Sequence, residues 1–195
     1  MHKLRRDEGF TLIELLLAVV ILGIISVPLA NMIIVVLANT DNTSDRLALS
    51  HDAQISATYF GEDVASMGVR DYSTLLASGA QPFKTSVQIN APDGQGGSNC
   101  TMPVSTAVVR LLSDDWQQSG GTATVTTDIV AYYLNGTELH RIKCTGGSST
   151  PISDIAVAHY VKPGTVSVNA SGTSVSMSLT ASKGHVADYP ISLSG

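Results

Sequence analysis

From Phe10 to Ala38 the chain is almost continuously apolar, interrupted mainly by Glu14, Ser26, Pro28 and Asn31. A helix needs about 20 such residues to cross a bilayer core, so this run is long enough to span one. Polar residues then enter with a helical rhythm. Leu49, Ala53, Ala57, Phe60, Val64 and Met67 recur at spacings of 4, 4, 3, 4 and 3, one stripe of an amphipathic helix. Asp52, Glu62, Asp63 and Ser66 fall largely off that stripe, and Gly68 is a plausible stop. The pattern predicts one helix from Phe10 to about Met67, apolar all round in its first half and one-sided in its second.

Beyond Gly68 the periodicity is weak up to about Gly97, and Ala91–Asn99 (APDGQGGSN) reads as a loop. Strands follow. Ala107–Leu112 is apolar and β-branched, while Asp128–Leu134, Asn135-Gly136 and Thr137–Cys144 make the clearest hairpin. Asn-Gly favours a two-residue type I′ turn, which predicts Leu134 opposite Thr137. Asp154–Val161, Thr165–Val168 and Ser174–Leu179 alternate as further strands, the last two joined by a turn at Asn169–Gly172. One helix with several antiparallel strands makes the fold class α+β.

Composition fits this organisation. The chain has 195 residues, 44% hydrophobic and only 14% charged, enough for one modest domain and a membrane segment. Lys3, Arg5 and Arg6 precede the apolar run, which predicts a cytoplasmic N-terminus and an exported remainder. An ordinary signal peptide cut after Ala30 is the weaker reading, since it would leave Met32–Ala38 exposed on a soluble product. Glu14 is the anomaly. A carboxylate deep in a span costs about 3 kcal/mol, less near an end, so it either lies at the interface or has a cationic partner.

Gly9–Leu15 (GFTLIEL), behind its short basic leader, resembles the processing motif of type IV prepilins and type II secretion pseudopilins. The resemblance implies cleavage between Gly9 and Phe10 by a prepilin peptidase and N-methylation of Phe10 by the same enzyme. It implies that Glu14 neutralises the Phe10 amine of an adjacent subunit, alongside other pilin or pseudopilin subunits and an assembly-platform membrane protein. The fold expected is pilin-like, a long N-terminal transmembrane and spine helix packed on an antiparallel β-sheet head. Its divisions would be a cleaved leader (1–9), a transmembrane and filament-core half-helix (10–38), an amphipathic half-helix (39–68) and an extracytoplasmic head (69–195). The acidic helix Asp52–Met67 and the hairpin Tyr132–Arg141 resemble features of J-type minor pseudopilins and W-type minor pilins. A minor subunit that initiates or assembles a filament is the function this implies, with a filament-tip adhesin or DNA-uptake subunit as the alternative.

Other candidates carry less. Pro28 should kink the helix. Cys100 and Cys144 would lie in an exported domain, where a bridge between them is favoured over two buried thiols. His2, His51, His140, His159 and His185 are scattered, form no metal-binding or nucleophile motif, and leave no catalytic set, so neither an enzyme nor a cofactor is expected. His140 and His159 fall on strands that could bring them face to face. Asp114-Asp115 and Trp116 read as loop residues, the carboxylates solvated rather than bound to calcium. Losing the leader's net +1 takes the formal charge from −5 to −6, so nucleic acid is an improbable partner unless Arg110, Arg141 and Lys143 cluster.

Overall fold

The computed structural model describes residues 10–67, 86–119, 121–171, 174–184 and 186–195. The expectations at Gly9, Gly68, Gly172, His2 and His185 lie outside them. The chain divides into two compact units, residues 1–44 and residues 45–195, and helix α1 (Leu12–Ala65) contributes to both. In the first unit α1 is an apolar rod whose side chains are all exposed, as the continuous hydrophobic run requires. Hydroxyls within it and just beyond it satisfy themselves on the preceding turn: Ser26 Oγ donates to the Leu22 carbonyl at 2.6 Å and Thr40 Oγ1 to Val36 at 2.9 Å.

In the second unit the α1 residues from Asp45 onward pack on two antiparallel sheets, a pilin-like α+β arrangement. The first sheet has five strands in sequence order: β1 (Val87–Pro92), β2 (Thr106–Ser119), β3 (Thr122–Asn135), β4 (Glu138–Cys144) and β5 (Ser153–Ala158). The second has β6 (Ser167–Ser171), β7 (Ser174–Ala181) and β8 (Tyr189–Ser194). One core joins all three layers. Leu49, Phe60 and Val64 of the helix meet Val109, Tyr132 and Leu139 of the first sheet and Met177, Leu179 and Leu193 of the second. Phe60 stands edge-on to Tyr132, ring centroids 5.5 Å apart.

Alternation along the strands gives the five-stranded sheet a second buried face. Ile129, Ala131 and Tyr133 of β3, with Ile142 and Cys144 of β4, form a separate cluster closed by Cys100. The covering loop between β1 and β2 includes a 3-10 turn at Gln95–Gly97.

Several expectations are corrected. Asp52, Ser56 and Asp63 are buried while Ala57 is exposed, so the inward helical stripe contains two carboxylates. Ala91 and Pro92 end strand β1 instead of belonging wholly to a loop, and β8 gave no alternation strong enough to be read. Asp114, Asp115 and Trp116 lie in strand β2, not in a loop, with Asp114 opposite Thr127. The hairpin turn is displaced by one residue. Asn135 pairs with Glu138, so Gly136 and Thr137 are central, and Leu134 faces Leu139. Gly136 has φ +63° whereas Thr137 has no left-handed φ, which matches type II′ in place of I′. This register sets Tyr132 opposite Arg141.

Candidate functional site

At the start of α1 the sequence Thr11-Leu12-Ile13-Glu14 builds a capping box. The Glu14 amide donates to Thr11 Oγ1 at 3.4 Å, and Glu14 Oε2 accepts from the Thr11 amide at 3.4 Å and its hydroxyl at 3.3 Å. Two of the amides that a helix start leaves without partners are thereby engaged. Glu14 is also the acidic residue of the first turn, where a negative charge suits the positive end of the helix dipole. Phe10 precedes the cap and is 77% exposed. The T-x-x-E spacing ahead of an apolar run is the sequence signal that marks this cap. Pro28 stands inside the unbroken helix.

The head holds a second constellation, built across helix and sheet. Asp63 Oδ2 accepts from Arg141 Nε at 2.6 Å and Oδ1 from Arg141 Nη2 at 2.5 Å, a two-pronged ion pair. Tyr132 Oη donates to the same carboxylate at 2.6 Å. All three residues are buried. Burial first, and the Asp63 carboxylate second, push the Tyr132 hydroxyl far above its ordinary range. The hydrogen bond to Asp63 raises Arg141 against the opposing effect of burial. Arg141 also lies over the Tyr59 ring, 4.9 Å from its centroid. About three and about two helical turns upstream of Asp63, Asp52 Oδ2 accepts from the His159 amide at 2.8 Å, and Ser56 Oγ donates to the Val157 carbonyl at 2.7 Å. The helix thus meets the end of β5 through polar groups as well as through its apolar stripe.

On the opposite face of the sheet Cys100 and Cys144 form a disulfide, Cα atoms 5.7 Å apart. Beside it the Arg110 guanidinium, 0% exposed, organises the covering loop. It donates to Gln88 Oε1 at 2.7 Å, to the Gln95 carbonyl at 3.1 Å, to the Pro92 carbonyl at 3.3 Å and to the Ser98 carbonyl. Asp93 Oδ1 accepts from the Cys100 amide at 2.8 Å, fixing the cysteine's approach. Arg110 pairs with Ala131 and Arg141 with Tyr132, adjacent residues of β3, so the two arginines lie on opposite faces. Both are buried, and they form no basic stripe with Lys143. His140 and His159 do not face each other directly; each approaches Glu138.

The family model described as the prokaryotic N-terminal methylation motif matches residues 4–30. No match was found among curated proteins or among solved structures. The match covers the stretch that contains the Thr11–Glu14 cap and most of the exposed apolar helix. With a long apolar helix leading into antiparallel sheets, the chain carries the prepilin-type N-terminal methylation motif, the signature of the type IV pilin and pseudopilin superfamily, on a pilin-like α+β fold.

Proposed function

We propose that the chain is a minor pilin or pseudopilin, a structural subunit that initiates or assembles a type IV pilus or a type II secretion pseudopilus. The observation that carries this reading is the methylation motif over residues 4–30, with Glu14 in the first turn of a helix whose apolar side chains over residues 12–38 are all exposed. A prepilin peptidase cuts between Gly9 and Phe10 and methylates the new amine. Residues 10–38 sit in the membrane with the N-terminus cytoplasmic, then move into the filament core, while 39–68 and the head (69–195) stay outside. Glu14 pairs with the Phe10 amine of a neighbouring subunit, a cation supplied only after the cut. The assembly-platform protein and other subunits are the partners, and the reaction chemistry belongs to the peptidase.

Support for a J-type or W-type minor subunit comes from the head. The acidic helix and the Tyr132–Arg141 hairpin, the two features that resemble those subgroups, meet each other at Asp63.

Peptide mass analysis of the membrane-associated chain tests the processing, with a methylated Phe10 expected as first residue. Glu14→Gln tests the assembly role more cleanly than Glu14→Ala, because glutamine can still close the capping box while removing the charge. Glu14→Gln should be cut normally yet fail to enter filaments, whereas Thr11→Ala, which loses the cap and keeps the charge, should still assemble. Normal assembly of Glu14→Gln would overturn the pairing, and an intact Met1 would overturn the processing.

A further inference from the structure

Asn135-Gly136 is the only Asn-Gly pair in the chain, and it lies at the tip of the β3–β4 hairpin. Both residues are exposed. Among the described residues no hydrogen bond engages the Asn135 carboxamide, and none takes the Gly136 amide. A Cβ on Gly136 would meet nothing within 4 Å, so solvent has the turn to itself. An uncommitted carboxamide and an uncommitted backbone nitrogen are therefore covalent neighbours.

We propose that Asn135 is a self-modification site, at which the Gly136 backbone nitrogen displaces ammonia from the Asn135 side chain. The Gly136 nitrogen gives its proton to solvent hydroxide and bonds to Asn135 Cγ. The Cγ–Nδ2 bond breaks, and the released nitrogen takes a proton from water and leaves as ammonia. A five-membered succinimide ring remains, which water opens at either carbonyl. Opening at Cγ leaves an aspartate; opening at the main-chain carbon leaves an isoaspartate whose backbone runs through Cβ and Cγ. Nothing is oxidised or reduced, and water is the only co-reactant.

The other asparagines each lack one of these conditions. Asn31, Asn39 and Asn42 lie in α1, where the following amide belongs to the helix ladder. Asn90 and Asn169 lie within strands and precede alanines, whose Cβ hinders the approach that glycine leaves open. Asn99 precedes Cys100, whose amide is already given to Asp93. Asp93-Gly94 has the same spacing, but Asp93 Oδ1 is held by the Gly94 and Cys100 amides at 3.0 and 2.8 Å.

Ring closure needs rotation about the Asn135 Cα–C bond, which opens the Asn135–Glu138 pair at the end of the ladder. The other side of the turn is tethered, since the Thr137 carbonyl accepts from the Val161 amide at 2.8 Å. The reaction therefore proceeds at the pace of fraying at the β3 end. Its products bear on the head. Either one sets a new carboxylate opposite Glu138, a destabilising like-charge pair. Isoaspartate also adds a main-chain atom next to the Leu134–Leu139 pair.

The test ages the folded full chain in detergent, in mildly alkaline buffer made with oxygen-18 water. Only conversion during ageing then carries the label. Peptide mass spectrometry with electron-transfer fragmentation reads each asparagine and separates isoaspartate from aspartate. Asn135 should convert at least about tenfold faster than Asn169, the exposed strand asparagine followed by an alanine. Its labelled product should include isoaspartate. An Asn135 that keeps its amide as long as Asn169 does would overturn the proposal. So would a product that is aspartate alone, because direct hydrolysis of the side chain passes through no ring.

Discussion

Asp63 and Arg141, 78 residues apart in sequence, are joined by two hydrogen bonds of 2.5 and 2.6 Å in a site where the aspartate is 5% exposed and the arginine 8%. Such a pair is neutral at best against apolar residues of the same volume, because both ions lost their water. Its worth is geometric. It permits one relative position of helix and hairpin, and Tyr132 fixes the carboxylate's second direction.

Removing one partner should therefore cost far more than removing all. Asp63→Ala strands a buried guanidinium and should lower stability by about 3–5 kcal/mol. The combination Asp63→Leu, Arg141→Met and Tyr132→Phe should lose much less. Urea unfolding of the three chains, followed by tyrosine fluorescence or circular dichroism, measures the difference.

Alkaline pH should loosen the head through its buried tyrosines. Burial holds the Tyr132 and Tyr133 hydroxyls far above their ordinary range, with Asp63 and Asp154 respectively adding to the effect. Unfolded tyrosines release their proton near pH 10, whereas the folded ones retain it, so the unfolded state binds fewer protons above that point. The stabilisation is complete below about pH 10 and declines above it, by about 1.4 kcal/mol per pH unit for each tyrosine. Denaturation midpoints on either side of pH 10 should show this slope, reduced in Tyr133→Phe.

The Cys100–Cys144 bridge closes a segment with a sequence separation of 44. Chain entropy assigns such a closure about 4 kcal/mol. The Cys100→Ser, Cys144→Ser chain should lose a comparable amount, and amide exchange should rise first in the 93–105 loop. Arg110 should moderate that rise, because its carbonyl contacts do not depend on the sulfur atoms.

At Gly136 a methyl group would meet open space, yet the backbone sits at φ +63°. Gly136→Ala should therefore cost about 1–2 kcal/mol from backbone strain alone. Thermal melts of the two chains measure it, and an unchanged midpoint would argue against the left-handed turn.

The N-terminal motif, the long helix, the hairpin and the disulfide were legible from the sequence because each rests on local pattern or on cysteine usage in an exported domain. The rest depends on partners distant in sequence. Asp52 and Asp63 look solvated when read along the helix alone; the His159 amide for one, and Arg141 and Tyr132 for the other, all far away in sequence, make their burial tolerable. Arg110 looked like a surface cation for the same reason, since its acceptors are backbone carbonyls that composition does not reveal. The hairpin register failed more locally. Asn-Gly signals a turn, but the Leu134–Leu139 pairing in the core shifted it to Gly136-Thr137. Strand β1 was hidden by Pro92, which a strand accepts only at its end or edge.

Tyr132 and Tyr133 are neighbours in β3, one facing the helix and its ion pair, the other facing the disulfide-closed cluster. The sheet is thus a party wall, with one tenant held by charge and the other by a covalent staple. A strand cannot be pried loose from one tenant without opening the other's room. Reductant acts on the disulfide-closed side and strong base on the tyrosines of both sides, so the two should reinforce each other in unfolding the head beyond the sum of their separate effects.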